Sequence, residues 1–306
     1  MENTKRDTIK TAIEDGAFCM AELMEDETVF HYTSIQAFKS IIESKVFFAT
    51  EYHYLNDVTE FTYMRERLKI VLEQMLDDSD VHNQLKQAIY DRIISKDEEH
   101  SDLNYSYYVV SFSLSGDNLT LWQEFAGEGC NIEILPFEFI KTDGMVNYGR
   151  VRYKENEQDD LIKASIISAI EYYFDIEDAS DENSADLRKC MKEITSDDIE
   201  PLAEIIVLVV SFYGMLMKQP MYEAEQEYRV VFSAANRDVK FRMNGNLIIP
   251  YIEVNLTEEC ELQALKKVNI APLSKGQMNR YAIGNFLNYC IGRAVPIGES
   301  GLEMRY

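Results

Sequence analysis

The segment Tyr107-Tyr-Val-Val-Ser-Phe-Ser113 most limits what this chain can fold into. Aromatic and β-branched residues crowd it, so it reads as a strand, and side-chain alternation puts Ser111 and Ser113 on the same side. It is the clearest strand in the chain. Residues 29–33 and 46–50 read as two further strands. Between them Ser34 caps a helix in which Ile35, Phe38, Ile41 and Ile42 recur at helical spacing, giving a β-α-β opening.

Helical patterns alternate with strands along the chain. They cover residues 4–24, 58–75 and 81–94, then regions around 161–170, 201–217 and 275–291. Strand patterns return at 131–135, 150–153, 227–232, 248–254 and 267–270, with a last short one at 295–297. The expectation is an α+β fold: one domain over residues 1–306, with a mixed, mostly antiparallel sheet core and helical insertions near 58–100 and 157–217. The stretch 171–186 holds seven acidic residues and no basic one. It reads as a solvated linker or charged helical face, or else as a site for a basic partner or a divalent cation.

Charge excludes more than it identifies. Over 306 residues there are 30 Lys+Arg against 54 Asp+Glu, a formal net charge of −24. Such a field opposes sequence-independent binding to a phosphate backbone, which draws its energy from basic residues displacing counterions. A protein or small-molecule partner is expected rather than a nucleic acid. The opening MENTKRDTIK has no apolar signal-peptide core. The apolar run at 205–217 is well short of the roughly 20 residues that span a bilayer and reads as a buried helix. Five cysteines, none in a Cys-x-x-Cys pair, suggest neither a disulfide framework nor a zinc site and point to a reducing, cytoplasmic compartment.

The common catalytic signatures are missing. There is no P-loop, no Gly-x-Gly-x-x-Gly, no Gly-x-Ser-x-Gly and no His-Glu-x-x-His, and Gly127-Glu-Gly129 is an isolated pair. With four histidines, of which His82 and His100 read as solvated, no metal centre is expected. Four small constellations remain. His31-Tyr32-Thr33 ends the first strand and is either structural or a polar ligand contact. Tyr54-Leu-Asn56-Asp57 with Glu60 reads as a helix cap with a capping-box acid, or as a site. Ser111 and Ser113 either wet an edge strand or line a cleft. Glu225-Gln-Glu227-Tyr-Arg229 places two carboxylates and a guanidinium on one face, which suits acid/base or ribose chemistry or a salt-bridged strand pairing.

Taken in order, these islands resemble a large bacterial domain-of-unknown-function family. Its pattern is His-Tyr-Thr, Leu-Asn-Asp-x-x-Glu, Ser-Phe-Ser followed by Leu-Trp, and a Lys before Glu-x-Glu-x-Arg. The matching positions here are His31 to Thr33, Leu55 to Glu60, Ser111 to Ser113 with Leu121-Trp122, and Lys218 with Glu225 to Arg229; Ser300 to Arg305 resembles the family's ending. The family is similar in turn to the ADP-ribosyltransferase fold, which implies NAD as substrate. On that resemblance His31 would bond the nicotinamide ribose with Tyr32 and Thr33 beside it, Ser111 and Ser113 would brace the cleft, and Tyr54 would stack on nicotinamide. Glu227 would accept the ribose 2′-hydroxyl while Glu225 orients the nucleophile, with Asn56, Asp57 and Arg229 lining the site.

The two glutamates can exchange roles, and Asn56, Asp57 and Glu60 can carry the chemistry instead. The resulting expectation is an NAD-consuming enzyme, transferring ADP-ribose or hydrolysing NAD, in the manner of a toxin or antiviral defence effector. A non-catalytic nucleotide- or partner-binding module is the alternative, and a metal-dependent nuclease the third.

Overall fold

The computed structural model describes residues 27–57, 59–98, 106–136, 145–174, 185–234, 239–255, 264–274 and 276–303. The helix expected over 4–24, most of the acidic stretch at 171–186, and His100 lie outside them. The fold is α+β, with a mostly antiparallel open sheet and helices. The chain divides into two compact units: a sheet unit (Phe18–Leu55, Leu103–Val151, Tyr222–Tyr306) and a helical unit (Met1–Ala17, Asn56–Asp102, Arg152–Met221).

In the sheet unit, β1 (Val29–Thr33), α1 (Ile35–Ser44) and β2 (Val46–Glu51) form the opening. The Ser34 hydroxyl accepts from Ala37 N at 3.2 Å, and Phe38, Ile41 and Ile42 are the buried face of α1. Lys45 ends the helix in the left-handed region, φ 58°, its N–H donating to Ile41 O. The chain continues, after the helical segments of the other unit, with β3 (Tyr107–Ser113), β4 (Cys130–Ile134), β5 (Met145–Arg150) and β6 (Glu227–Ser233). A hairpin of β7 (Lys240–Asn244) and β8 (Leu247–Asn255) follows, then β9 (Leu265–Ile270).

The helix expected at 275–291 and the strand expected at 295–297 are found as Gln277–Ile291 and Ile297–Glu299. The strand expected at 150–153 belongs mostly to residues before it, because Arg152 makes only an isolated bridge to Met217. The sheet also contains β7, which gives little sequence signal: it is an edge strand of alternating Lys, Phe, Arg and Met, exposed over most of its length.

β3 organises this sheet. One edge pairs with β6 over all seven residues, from Tyr107↔Ser233 to Ser113↔Glu227. The other edge is shared, with β1 meeting it at Ser113 and β2 at Tyr108 and Val109. Alternation then sorts the side chains. Tyr108, Val110 and Phe112 join Tyr228, Val230 and Phe232 in the main core, together with Phe47, Val254, the buried face of α1, and Ile283 and Leu287 of the last helix. The opposite face carries Ser111, Ser113, Glu227 and Arg229 by the same register, and beside them a smaller cluster of Tyr32, Leu121, Trp122, Ala126 and Ala271.

That smaller cluster is locked by polar contacts. Trp122 opens a π-turn closed by Gly127 N donating to Trp122 O at 2.7 Å. Gly127 takes φ 57°, and a Cβ on Gly129 would stand 2.1 Å from Thr33 O. The Gly127-Glu-Gly129 pair is therefore a close backbone crossing. Asp117 accepts from Trp122 Nε1 at 2.8 Å, from the Ser300 hydroxyl at 2.5 Å and from Gly301 N at 2.7 Å, which docks the closing residues of the chain.

The helical unit contains Glu60–Met75, Asp80–Glu98, Glu155–Phe174, Ala185–Glu193 and Ile199–Gly214, which fall in the two regions expected as helical insertions. Its core joins Leu68, Val71, Leu85, Ile89, Ile162, Ile166, Leu202 and Ile206. Ile199–Gly214 buries most of its circumference, as the apolar run led us to expect. His82 is buried rather than solvated: Leu85 and Ile89 face inward from the same side of its helix, and its Nε2 lies 2.9 Å from Met191 O. No described helix is long and apolar enough to cross a membrane.

Replacing Asp117 with Ala removes the partner of an indole N–H on a side chain that is 1% exposed. We expect a loss of about 2 kcal/mol in urea unfolding, since a buried donor left unpaired costs about 1–3 kcal/mol. An unchanged midpoint would show that the latch contributes nothing.

Candidate functional site

The β3–β6 ladder ends at a kink. Gln226, just before β6, adopts φ 47°, a left-handed conformation that costs a non-glycine residue about 1–2 kcal/mol. Three bonds hold it there. Leu114 N donates to Gln226 O at 2.8 Å, Gln226 N donates to Glu223 O at 3.1 Å, and the Ser113 hydroxyl donates to Glu225 O at 2.7 Å. Asn118 adds a side-chain bond to Ala224 O while its own carbonyl caps Thr120 N and Leu121 N. Asn118 escaped the sequence reading, although an Asn directly before an apolar helical turn is a capping signal.

On the two sides of this kink Glu225 and Glu227 are both buried, and Arg229 is fully buried. Arg229 Nε donates to Glu227 Oε1 and its Nη2 to Glu227 Oε2, both at 2.9 Å. This bidentate pair lies in register with the serines, Glu227 opposite Ser113 and Arg229 opposite Ser111. Expected site residues Ser111, Ser113, Glu227 and Arg229 thus share one face of two neighbouring strands, with Glu225 at its end. Two charged residues locked in this way are costly to bury, and apolar replacements of similar shape are often equally stable.

His31 stands elsewhere. Phe30 pairs with Ser113, so Phe30 and Tyr32 point to the polar face while His31 and Thr33 point to the main core. The His31 ring meets the edges of Phe47 and Phe112, with centroids at 5.2 and 5.8 Å. Its Nδ1 lies 3.1 Å from the Ser111 carbonyl, which only accepts, so Nδ1 carries the proton. The ring thereby fills the gap where β1 and β2 diverge on β3. Burial pushes its pKa below the ordinary 6.5, opposed by the bond to Ser111.

Tyr32 faces the polar side but is spoken for, its hydroxyl donating to Ser115 O at 2.8 Å and accepting from Asn118 N at 3.0 Å. Burial raises its pKa to about 12. Tyr54 lies on the short helical turn Tyr52–Tyr54 after β2, 44% exposed. β2 meets β3 at Tyr108, roughly 17 Å along that strand from Ser113 at about 3.4 Å per residue.

Asn56 and Asp57 belong to the helical unit, where a second polar cluster forms. Asp57 Oδ1 accepts from Thr59 N at 2.9 Å and from its hydroxyl at 2.6 Å, an Asx turn ahead of the helix. Asp57 Oδ2 is buried with no hydrogen-bond partner among the described residues. Lys218 is fully buried, its Nζ 3.3 Å from Asn56 Oδ1, and its carbonyl accepts from Gln158 Nε2 at 2.8 Å. The side chain of Glu60 lies outside the described residues.

Among the described residues no group of three His, Cys, Asp or Glu is placed to hold a metal ion. An open groove of about 460 Å³ lined by Arg280, Tyr281, Asn285 and Ile297 contains none of the expected site residues, and Arg280 there is already 4.0 Å from Glu299.

Two measurements check this geometry. A depressed His31 pKa means that between pH 6.5 and the lower folded value the unfolded chain binds a proton that the folded chain does not, so stability falls on acidification. From pH 6.5 to 5.5 we expect the wild type to lose up to about 1 kcal/mol more than His31→Asn; parallel curves would place His31 in solvent. Arg229→Met should cost about 3–5 kcal/mol by leaving a buried carboxylate unpaired, and adding Glu227→Leu should recover most of it. Simple additivity of the two losses would dissolve the pair.

Set against protein-family models, curated proteins and solved structures, the chain gives no match.

Proposed function

We propose that the chain is an NAD-consuming enzyme with a sheet of ADP-ribosyltransferase type, transferring ADP-ribose to a protein or small molecule or hydrolysing NAD. The observation that carries this reading is the burial of Glu225, Glu227 and Arg229 together at the kinked end of one polar sheet face. Buried charge is expensive, so two buried acids beside a buried guanidinium are better explained by chemistry than by stability. Arg229 donates to both oxygens of Glu227 and so fixes the orientation of that carboxylate.

In this mechanism the bond between nicotinamide and the ribose anomeric carbon breaks, nicotinamide leaving with the electron pair. The positive charge that develops on the ribose is stabilised by the carboxylates. Water or an acceptor hydroxyl then attacks the anomeric carbon and releases its proton to solvent water, with Glu225 orienting it. Ser113 holds the Glu225 carbonyl, fixing the spacing of the two acids. His31 supports β3 from the core side in this reading, through the Ser111 carbonyl. A toxin or antiviral effector role follows from the same chemistry, because depletion of NAD arrests a cell.

A second reading, a non-catalytic nucleotide-binding module, is favoured by one specific feature: both Glu227 oxygens are already engaged by Arg229. Nicotinamide release from NAD separates the two. The enzyme reading expects release by wild type, lowered about 10²–10³-fold in Glu227→Gln as for other groups aimed at a transition state. A binder instead shows a melting temperature raised by NAD with the dinucleotide left intact. No release, with or without cell lysate as a source of acceptor, defeats the enzyme.

A further inference from the structure

The last helix, Gln277–Ile291, has a single charged residue, Arg280, in a chain that is 27% charged. Ile283 and Leu287 face the main core. The outward side carries Met278, Tyr281, Asn285 and Tyr289, three and four residues apart, so they form one stripe. Met278 is 89% exposed, Tyr281 74% and Tyr289 90%. The solvent side of a helix normally carries charge, as α1 does with its Lys39–Glu43 pair. Uncharged Tyr and Met are instead what the centres of protein interfaces use. The surrounding sequence is also free of acid: from Leu262 to Gly298 there are five basic residues and no Asp or Glu.

Beside the stripe lies the open groove of about 460 Å³, lined by Arg280, Tyr281, Gly284, Asn285, Val295 and Ile297. Helix and last strand touch inside it, since a Cβ on Gly284 would stand 3.2 Å from Ile297 Cδ1. The helix residues lining the groove centre between Ala282 and Ile283. Tyr289 projects about 10 Å further along the axis, at 1.5 Å per residue. A projecting ring and a groove with room for a ring thus share one exposed surface, with Asn285 between them.

We infer that this surface binds a second copy of the chain in a two-fold dimer, each Tyr289 ring entering the other copy's groove. A two-fold axis near Asn285, perpendicular to the line from ring to groove, exchanges the two, so one surface completes itself. Charge selects this occupant. Two chains of −24 repel wherever acids face each other, and the acid-free stretch lets them approach without that cost. Glu299, beyond its end, faces Arg280 at 4.0 Å. A surface of this size is at the small end of specific interfaces, so the dimer should have about micromolar affinity. The dimer does not depend on the enzyme reading.

Sedimentation equilibrium of the full chain between about 1 and 300 µM tests the pairing. The mass should rise with concentration from one chain to two and stop there, and added salt should tighten association by screening the mutual repulsion. A one-chain mass throughout, growth past two chains, or weakening by salt overturns the pairing. Tyr281→Glu and Tyr289→Glu should each weaken association by about tenfold or more, because a charge would be buried without a partner. Unchanged association in either overturns it. A cross-link gives a readout that does not rest on those variants folding. With Cys290 replaced by Ser, Asn285→Cys should oxidise in air to a covalent dimer faster than Lys69→Cys, at an exposed position on the helical unit. Equal rates overturn the axis near Asn285.

Discussion

Seven residues of β3 pair with seven of β6, and nearly every functional argument about this chain depends on that ladder. Its alternation sends Tyr108, Val110, Phe112, Tyr228, Val230 and Phe232 into one apolar layer. The same alternation forces Ser111, Ser113, Glu227 and Arg229 onto the other face. A register slip of one residue would put a salt bridge in the core and aromatic rings on the polar face, so the apolar layer fixes where the charges go. The polar face is in this sense a by-product of core packing, and its chemistry is as rigid as the core.

The ladder ends at Gln226, where the chain turns through a left-handed residue that is not glycine. Strain of this kind persists when surrounding contacts over-determine it. Here Ser113, Leu114 and Asn118 all bind the 224–226 segment. Asp117 anchors the adjoining turn to Trp122 and to Ser300 and Gly301. Residues near the end of the chain thereby help to set the spacing of Glu225 and Glu227, which explains why motifs far apart in sequence belong to one structural unit.

Much of the fold was legible in the sequence because burial is periodic. Residues 107–113, the Ser34 cap and the 205–217 run follow directly from alternation, capping chemistry and hydrophobicity. β7 was not legible, since an exposed edge strand has no apolar face to announce it. The candidate site was legible in part. Spacing of two placed Ser111 with Ser113 and Glu227 with Arg229 correctly, because alternation is local. The facing of His31 depends on a single long-range pairing, Phe30 with Ser113, and no local pattern encodes that.

The central claim is that the polar face of the β3–β6 ladder, and not the face that His31 occupies, receives the ribose of a dinucleotide. A crystal structure with a non-hydrolysable NAD analogue tests this most directly. The account predicts a ribose hydroxyl within hydrogen-bond distance of Glu225 or Glu227, with the Arg229 pair intact. A ligand bound elsewhere, or one that leaves both carboxylates untouched, would contradict it.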